Sequence, residues 1–89
     1  MNKRRYNYPI SLLGNFVYVF GGQNKEKEVL KVTKSCEKFD IETHQWSSVP
    51  DMNFERCESH CFIQNNEIYL ACGYREAQRN SSIEKFNPI

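Results

Sequence analysis

Apolar residues along this chain fall in short runs broken by polar and glycine-containing steps, the rhythm of β-strands. The segment SHCFIQ runs into Asn65-Asn66, a pair able to take the positive φ of a tight hairpin, and EIYLAC follows it. SLL, then Gly14-Asn15, then FVYVF repeats that plan in the first half. VYVF is apolar on both faces, as suits a strand covered on both sides. CEKFDI mixes apolar and charged residues and reads as a half-buried strand. Asp40 through His44 then makes a polar turn, and QWSSVP is a further strand stopped by Pro50.

The pattern occurs twice. SCEKFD, residues 35–40, returns as SIEKFN, residues 82–87, and FVYVFGG at 16–22 lines up with EIYLACG at 67–73. Tyr18 and Tyr69 stand 51 residues apart, whereas the EKF triplets stand 47 apart. The four-residue difference falls between the glycine-ended strand and the EKF strand, where the first copy has the longer loop. Met52, Asn53 and Arg56 follow Met1, Asn2 and Arg5 at the same 51-residue spacing, so the chain opens at a repeat boundary. Four short antiparallel strands in about 50 residues is the plan of one propeller blade. The expected fold is therefore all-β: one complete four-stranded blade in residues 1–50, and three strands of a second in 51–89.

VYVFGG, a variable polar insert, SCEKFDIETHQW with Trp46, then SSVPDM and an arginine closely resemble the kelch repeat. The signature positions are Tyr18, Gly21, Gly22, Phe39 and Trp46, echoed by Tyr69, Gly73 and Phe86. The second copy departs at Cys72, which takes the place of the first glycine, and the first carries Pro9 within its proposed inner strand. The resemblance implies strands near 7–13, 16–21, 35–41 and 46–49, then 57–64, 67–73 and 82–87. It also implies that Trp46 and Tyr18 pack between sheets. A blade cannot bury its faces alone, and propellers close with about 4–8 of them. The expectation is a piece of a longer protein, since Met1 occupies the place of Met52; the alternative is ring closure by other chains. In isolation such a chain is expected to aggregate or melt with poor cooperativity.

The resemblance implies a protein-interaction module binding through loops on one blade face, such as a ubiquitin-ligase substrate adaptor or a cytoskeleton-binding protein. In kelch adaptors, partner contacts come from the residue after the paired glycines and from the start of the inner strand. Those positions here are Gln23 and Tyr74, and Arg5 with Tyr6 and Arg56 with Cys57. Arg5 and Arg56 equally suit a structural ion pair between blades. The loop 23–34, QNKEKEVLKVTK, reads as a solvated connection with a claim to partner contact. The other classes are a fragment of a kelch-fold enzyme, of the oxidase or sugar-isomerase type, and a nonfunctional gene remnant.

Composition narrows the chemistry. Twelve basic and eleven acidic residues give a net charge of +1, which offers nucleic acid or a membrane no large field, and Lys3, Arg4 and Arg5 form a short basic run at the N-terminus. No apolar stretch reaches the roughly 20 residues of a membrane span, and no signal-peptide core is visible. A cytoplasmic protein with reduced cysteines at 36, 57, 61 and 72 is expected. Aromatics at 13% argue for an ordered core despite a mean hydropathy of −0.71. Cys57, His60 and Cys61 suggest a zinc site, but on one strand His60 would point away from the two thiols, and small buried thiols are the better reading, for Cys36 and Cys72 as well. Neither His44 nor His60 sits in a catalytic signature, so no catalysis, cofactor or metal is expected.

Overall fold

The computed structural model describes residues 1, 4–26, 29–75, 78–79 and 81–87. Lys3 of the basic run and Asn2 of the repeat boundary lie outside them. In chain order the strands are β1 (Ile10–Leu13), β2 (Phe16–Phe20), β3 (Gln23–Glu26), β4 (Val29–Val32), β5 (Cys36–Asp40), β6 (Gln45–Val49), β7 (His60–Gln64), β8 (Glu67–Ala71), β9 (Tyr74–Arg75), β10 (Gln78–Arg79) and β11 (Ile83–Phe86).

Turn chemistry sets the strand breaks. Asn65 and Asn66 take φ of 54° and 60°, the two positive values of a type I′ hairpin, and join β7 to β8. Gly14 at φ 61° is the single positive value of the turn that joins β1 to β2, with glycine at its first central position. At the β5–β6 turn the Asp40 carboxylate accepts the Glu42 N–H at 2.9 Å, and its carbonyl accepts the His44 N–H at 2.8 Å. The main sheet is antiparallel in the order β1-β2-β5-β6, and the second runs β11-β8-β7.

The ends of the expected strands change for local reasons. Pro9 precedes β1 and so removes no ladder donor; its carbonyl accepts the Phe20 N–H at 3.2 Å. The second inner strand starts at His60 instead of 57, because Glu58, like Asn7 in the first copy, has a positive φ that breaks the extended run (53° and 56°). The loop 23–34 is not a mere solvated connection: β3 and β4 pair antiparallel from Gln23↔Val32 to Glu26↔Val29. VLKV brings β-branched residues, and the polar run QNKE satisfies its backbone by pairing with it. A shorter β9–β10 ribbon occupies the matching place in the second copy.

The two sheets bury one shared core. Alternation along β2 and β5 puts Phe16, Tyr18, Phe20 and Cys36 on one face of the first sheet, with Leu13 and Val49 beside them. They meet Ile68, Leu70, Phe86 and Cys61 of the second sheet. The Phe86 ring stands edge-on to Phe20 at 4.9 Å and to Tyr18 at 5.9 Å. Met52, on the segment joining the sheets, closes the cluster and is 2% exposed. Trp46 lies on the other face of its sheet. Its register opposite Phe39 places it on the face turned away from the second sheet, half-buried against the Phe39 ring at 5.2 Å.

Candidate functional site

All the expected contact positions gather at one end of the sheets, because β1 begins where β2 ends and β7 begins where β8 ends. Tyr6 pairs with Gln23 and Cys57 with Tyr74, each as a single antiparallel bridge. Paired backbone bonds fix both junctions, at 2.9 and 2.8 Å for Tyr6–Gln23 and at 2.9 Å twice for Cys57–Tyr74. The side chain of Tyr6 is exposed, that of Gln23 is half-buried and accepts from Asn7 at 2.8 Å, and Tyr74 is half-buried with the Arg79 guanidinium 6.0 Å from its ring. Cys57 is buried.

The two arginines point inward. Arg5 donates through Nε and Nη2 to one oxygen of Glu37 at 3.3 and 3.1 Å, and through Nη1 to the Gly21 and Ser35 carbonyls at 2.9 and 2.8 Å. Arg56 repeats this on Glu84 at 3.3 and 3.1 Å, on the Cys72 and Ser82 carbonyls at 2.9 Å each, and on the Ser82 hydroxyl at 2.8 Å. Both guanidinium groups and both carboxylates are buried. Each pair lies within its own copy of the repeat, not between copies: the arginine precedes the inner strand and the glutamate sits on β5 or β11. A buried charge needs a charged partner together with hydrogen bonds, and here each arginine has both. Glu37 and Glu84 were not among the expected site residues, although their place in the repeated EKF triplet, with an arginine recurring alongside, is the signal that marks them.

Arg56 also ties the two copies together through its backbone. Its carbonyl accepts the Gly22 N–H at 2.7 Å, and the neighbouring Met52 and Glu58 N–H groups donate to Lys34 and Asn7 at 2.9 and 2.8 Å. The paired glycines make room for this crossing. A Cβ on Gly21, at φ 55°, would meet the Met52 methyl and, at 2.6 Å, the Arg56 oxygen. In the second copy Gly73 keeps the tight approach of the second glycine, since a Cβ there would stand 2.7 Å from the Cys57 oxygen. Cys72 holds the left-handed backbone of the first glycine, at φ 62°, with a side chain exposed.

The thiols divide by burial. Burial pushes the Cys36 thiol up to about 12, against weaker opposing pulls from the Gly21 and Met52 backbone and from Arg5. It also raises Cys57 and Cys61. Cys61 donates to the Ile10 carbonyl at 3.1 Å across the two inner strands. Cys72 is the exception to the buried-thiol expectation. Among the described residues no three His, Cys, Asp or Glu side chains gather closely enough to hold a metal ion, and no helix is long and apolar enough to cross a membrane.

Comparison with known proteins agrees with this architecture. The family model of the Kelch motif matches residues 4–53, and the chain belongs to that family. It is 28% identical over 78 residues to Kelch-like protein 25 of Xenopus tropicalis, covering 88% of this chain and 12% of that protein. A RING finger domain and kelch repeat-containing protein of Dictyostelium discoideum is 31% identical over 74 residues, 81% of this chain and 7% of the relative. The chain thus spans a small part of the length of these relatives. Among solved structures it is similar to YjhT, with a TM-score of 0.71 at 22% identity over 78% of this chain and 21% of that one. The fold is that of antiparallel kelch blades in a partial β-propeller.

Proposed function

We propose that this chain is a protein-interaction module whose contact surface is the end of the sheets carrying Tyr6, Gln23 and Tyr74 with the β3–β4 and β9–β10 ribbons. The observation that carries this reading is the pair of backbone bridges at Tyr6–Gln23 and Cys57–Tyr74. They hold the equivalent positions of both copies at the same end of the two sheets, on a scaffold locked by buried arginine–glutamate pairs. Tyrosine offers contact area at small entropic cost, and Tyr6 and Tyr74 are the positions suited to it. Arg5 and Arg56 enter this reading as positioning residues, their charge being committed to Glu37 and Glu84. Within a longer polypeptide, as in the relative that joins a RING finger to kelch repeats, such a module would present a captured protein to a second domain. The blades needed to complete a ring would come from that same polypeptide.

Site-specific photo-crosslinking in cells tests the surface. A crosslinker at Tyr6 or Tyr74 should capture the same protein, and one at Glu42, in the turn at the opposite end, should not. Capture from Glu42 alone would sink the assignment. Tyr6→Ala with Tyr74→Ala should weaken retention of the captured protein at least about tenfold.

A further inference from the structure

The joint between the two copies is a lock whose two halves recur, unjoined, at the ends of the molecule. In the joint, residues 52–58 cross the end of β2, and the Arg56 carbonyl takes the Gly22 N–H at 2.7 Å. The matching ground on the second sheet is an open concavity of about 310 Å³ lined by Glu58, His60, Cys72, Gly73, Tyr74 and Arg79. Its backbone is already in the receiving shape: Cys72 and Gly73 have φ of 62° and 101°, against 55° and 87° at Gly21 and Gly22. The Gly73 N–H meets no acceptor among the described residues. The entering half recurs at the N-terminus, where Met1, Arg5 and Asn7 hold the places of Met52, Arg56 and Glu58, and Asn7 shares the positive φ of Glu58.

The apolar faces recur too. Ile10, Leu12, Val17 and Phe39 on the outer face of the first sheet hold the places of Cys61, Ile63, Ile68 and Phe86, and Ile10 and Leu12 are exposed. Tyr69, Ala71 and Ile83 on the outer face of the second sheet hold the places of Tyr18, Phe20 and Cys36. A second copy could therefore enter head to tail, its residues 4–7 lying in the concavity as 55–58 lie over the first sheet. One position forbids it. The joint requires glycine at 21, because a Cβ there would come within 2.6 Å of a backbone oxygen, which cannot swing aside as a flexible side-chain end can. The second sheet has Cys72 there.

We propose that Cys72 is a specificity element at this seat. Its Cβ turns away an entering segment that runs as 55–58 do, the chain's own residues 4–7 included, so that copies of this chain do not stack head to tail. This concerns blade-to-blade contact and stands apart from the loop surface proposed above, so crosslinking at Tyr6 and Tyr74 and self-association report separately.

The test is sedimentation velocity of the full chain, under reductant, over a range of concentrations. Cys72→Gly should associate head to tail about tenfold or more tighter than wild type, while Cys72→Ala, which keeps the Cβ and loses the thiol, should behave as wild type. Direction is read by adding Ile10→Glu, whose counterpart Cys61 packs on the core in the joint, or Ile83→Glu, whose counterpart Cys36 is buried there, both at exposed positions on the two outer faces. Each should abolish association of Cys72→Gly, and mixing the two double variants should restore a one-to-one complex. The idea is overturned if Cys72→Gly is no tighter than wild type, if Cys72→Ala gains as much as Cys72→Gly, or if mixing restores nothing. Circular dichroism of each variant confirms that folded proteins are being compared.

Discussion

Arg5 and Arg56 each commit a buried guanidinium to one glutamate of their own copy, Glu37 and Glu84. The arginine precedes its glutamate by 32 residues in one copy and 28 in the other, so no fixed spacing announces the pair. Only the sheet brings them together. Replacing Glu84 with Ala leaves a buried guanidinium without its counter-charge and should cost about 3–5 kcal/mol, a large part of the stability of a small domain. Chemical denaturation checks this, and Arg56→Met with Glu84→Leu should cost clearly less than Glu84→Ala alone. Cys36 gives a pH-dependent companion. Its folded value is raised to about 12 from an ordinary 9.0, so the unfolded chain loses the proton first. This thiol's contribution is therefore fully present below pH 9.0 and is lost as pH climbs toward about 12, at a rate approaching 1.4 kcal/mol per pH unit. Urea titrations between pH 8 and 11 should show a shallower decline for Cys36→Ala than for wild type. Thiol labelling of the native protein should modify Cys72 first and Cys36 last.

The strands of the two large sheets could be read from alternation and from the Gly14-Asn15 and Asn65-Asn66 turns, because a hairpin turn is encoded by the two residues that form it. The β3–β4 ribbon could not. Its first strand, QNKE, has no apolar face to announce it, and it is a strand only because VLKV folds back along it. The Trp46 side was equally hidden, since one blade's repeat pattern does not say which face its neighbour takes. A two-stranded ribbon is marginal by itself, whereas β2 lies between β1 and β5. Hydrogen exchange should therefore run much faster in Gln23–Glu26 and Val29–Val32 than in Phe16–Phe20. Equal protection would mean that the ribbon is held by more than its own ladder.

At the scale of the molecule, one core serves both sheets. Phe20 is fully buried and sits in it between Tyr18 and Phe86. Phe20→Ala should cost about 3–5 kcal/mol, and Trp46 fluorescence, which reports the first sheet, should lose its signal at the same denaturant concentration as backbone circular dichroism. Separate midpoints would show that the sheets fold apart. The outer faces pull the other way, with Ile10, Leu12 and Ile83 more than half exposed, so heating should end in aggregation, and Leu12→Lys should raise its onset temperature. The clamps recur 51 residues apart at arginine and 47 apart at glutamate, and the four-residue discrepancy is confined to the stretch holding the ribbon. Length can therefore change in the ribbon without moving a single clamp atom. Such a design lets the tip of the blade diversify generation after generation while the frame stays fixed, and it marks the β3–β4 tip as the place to graft a foreign peptide.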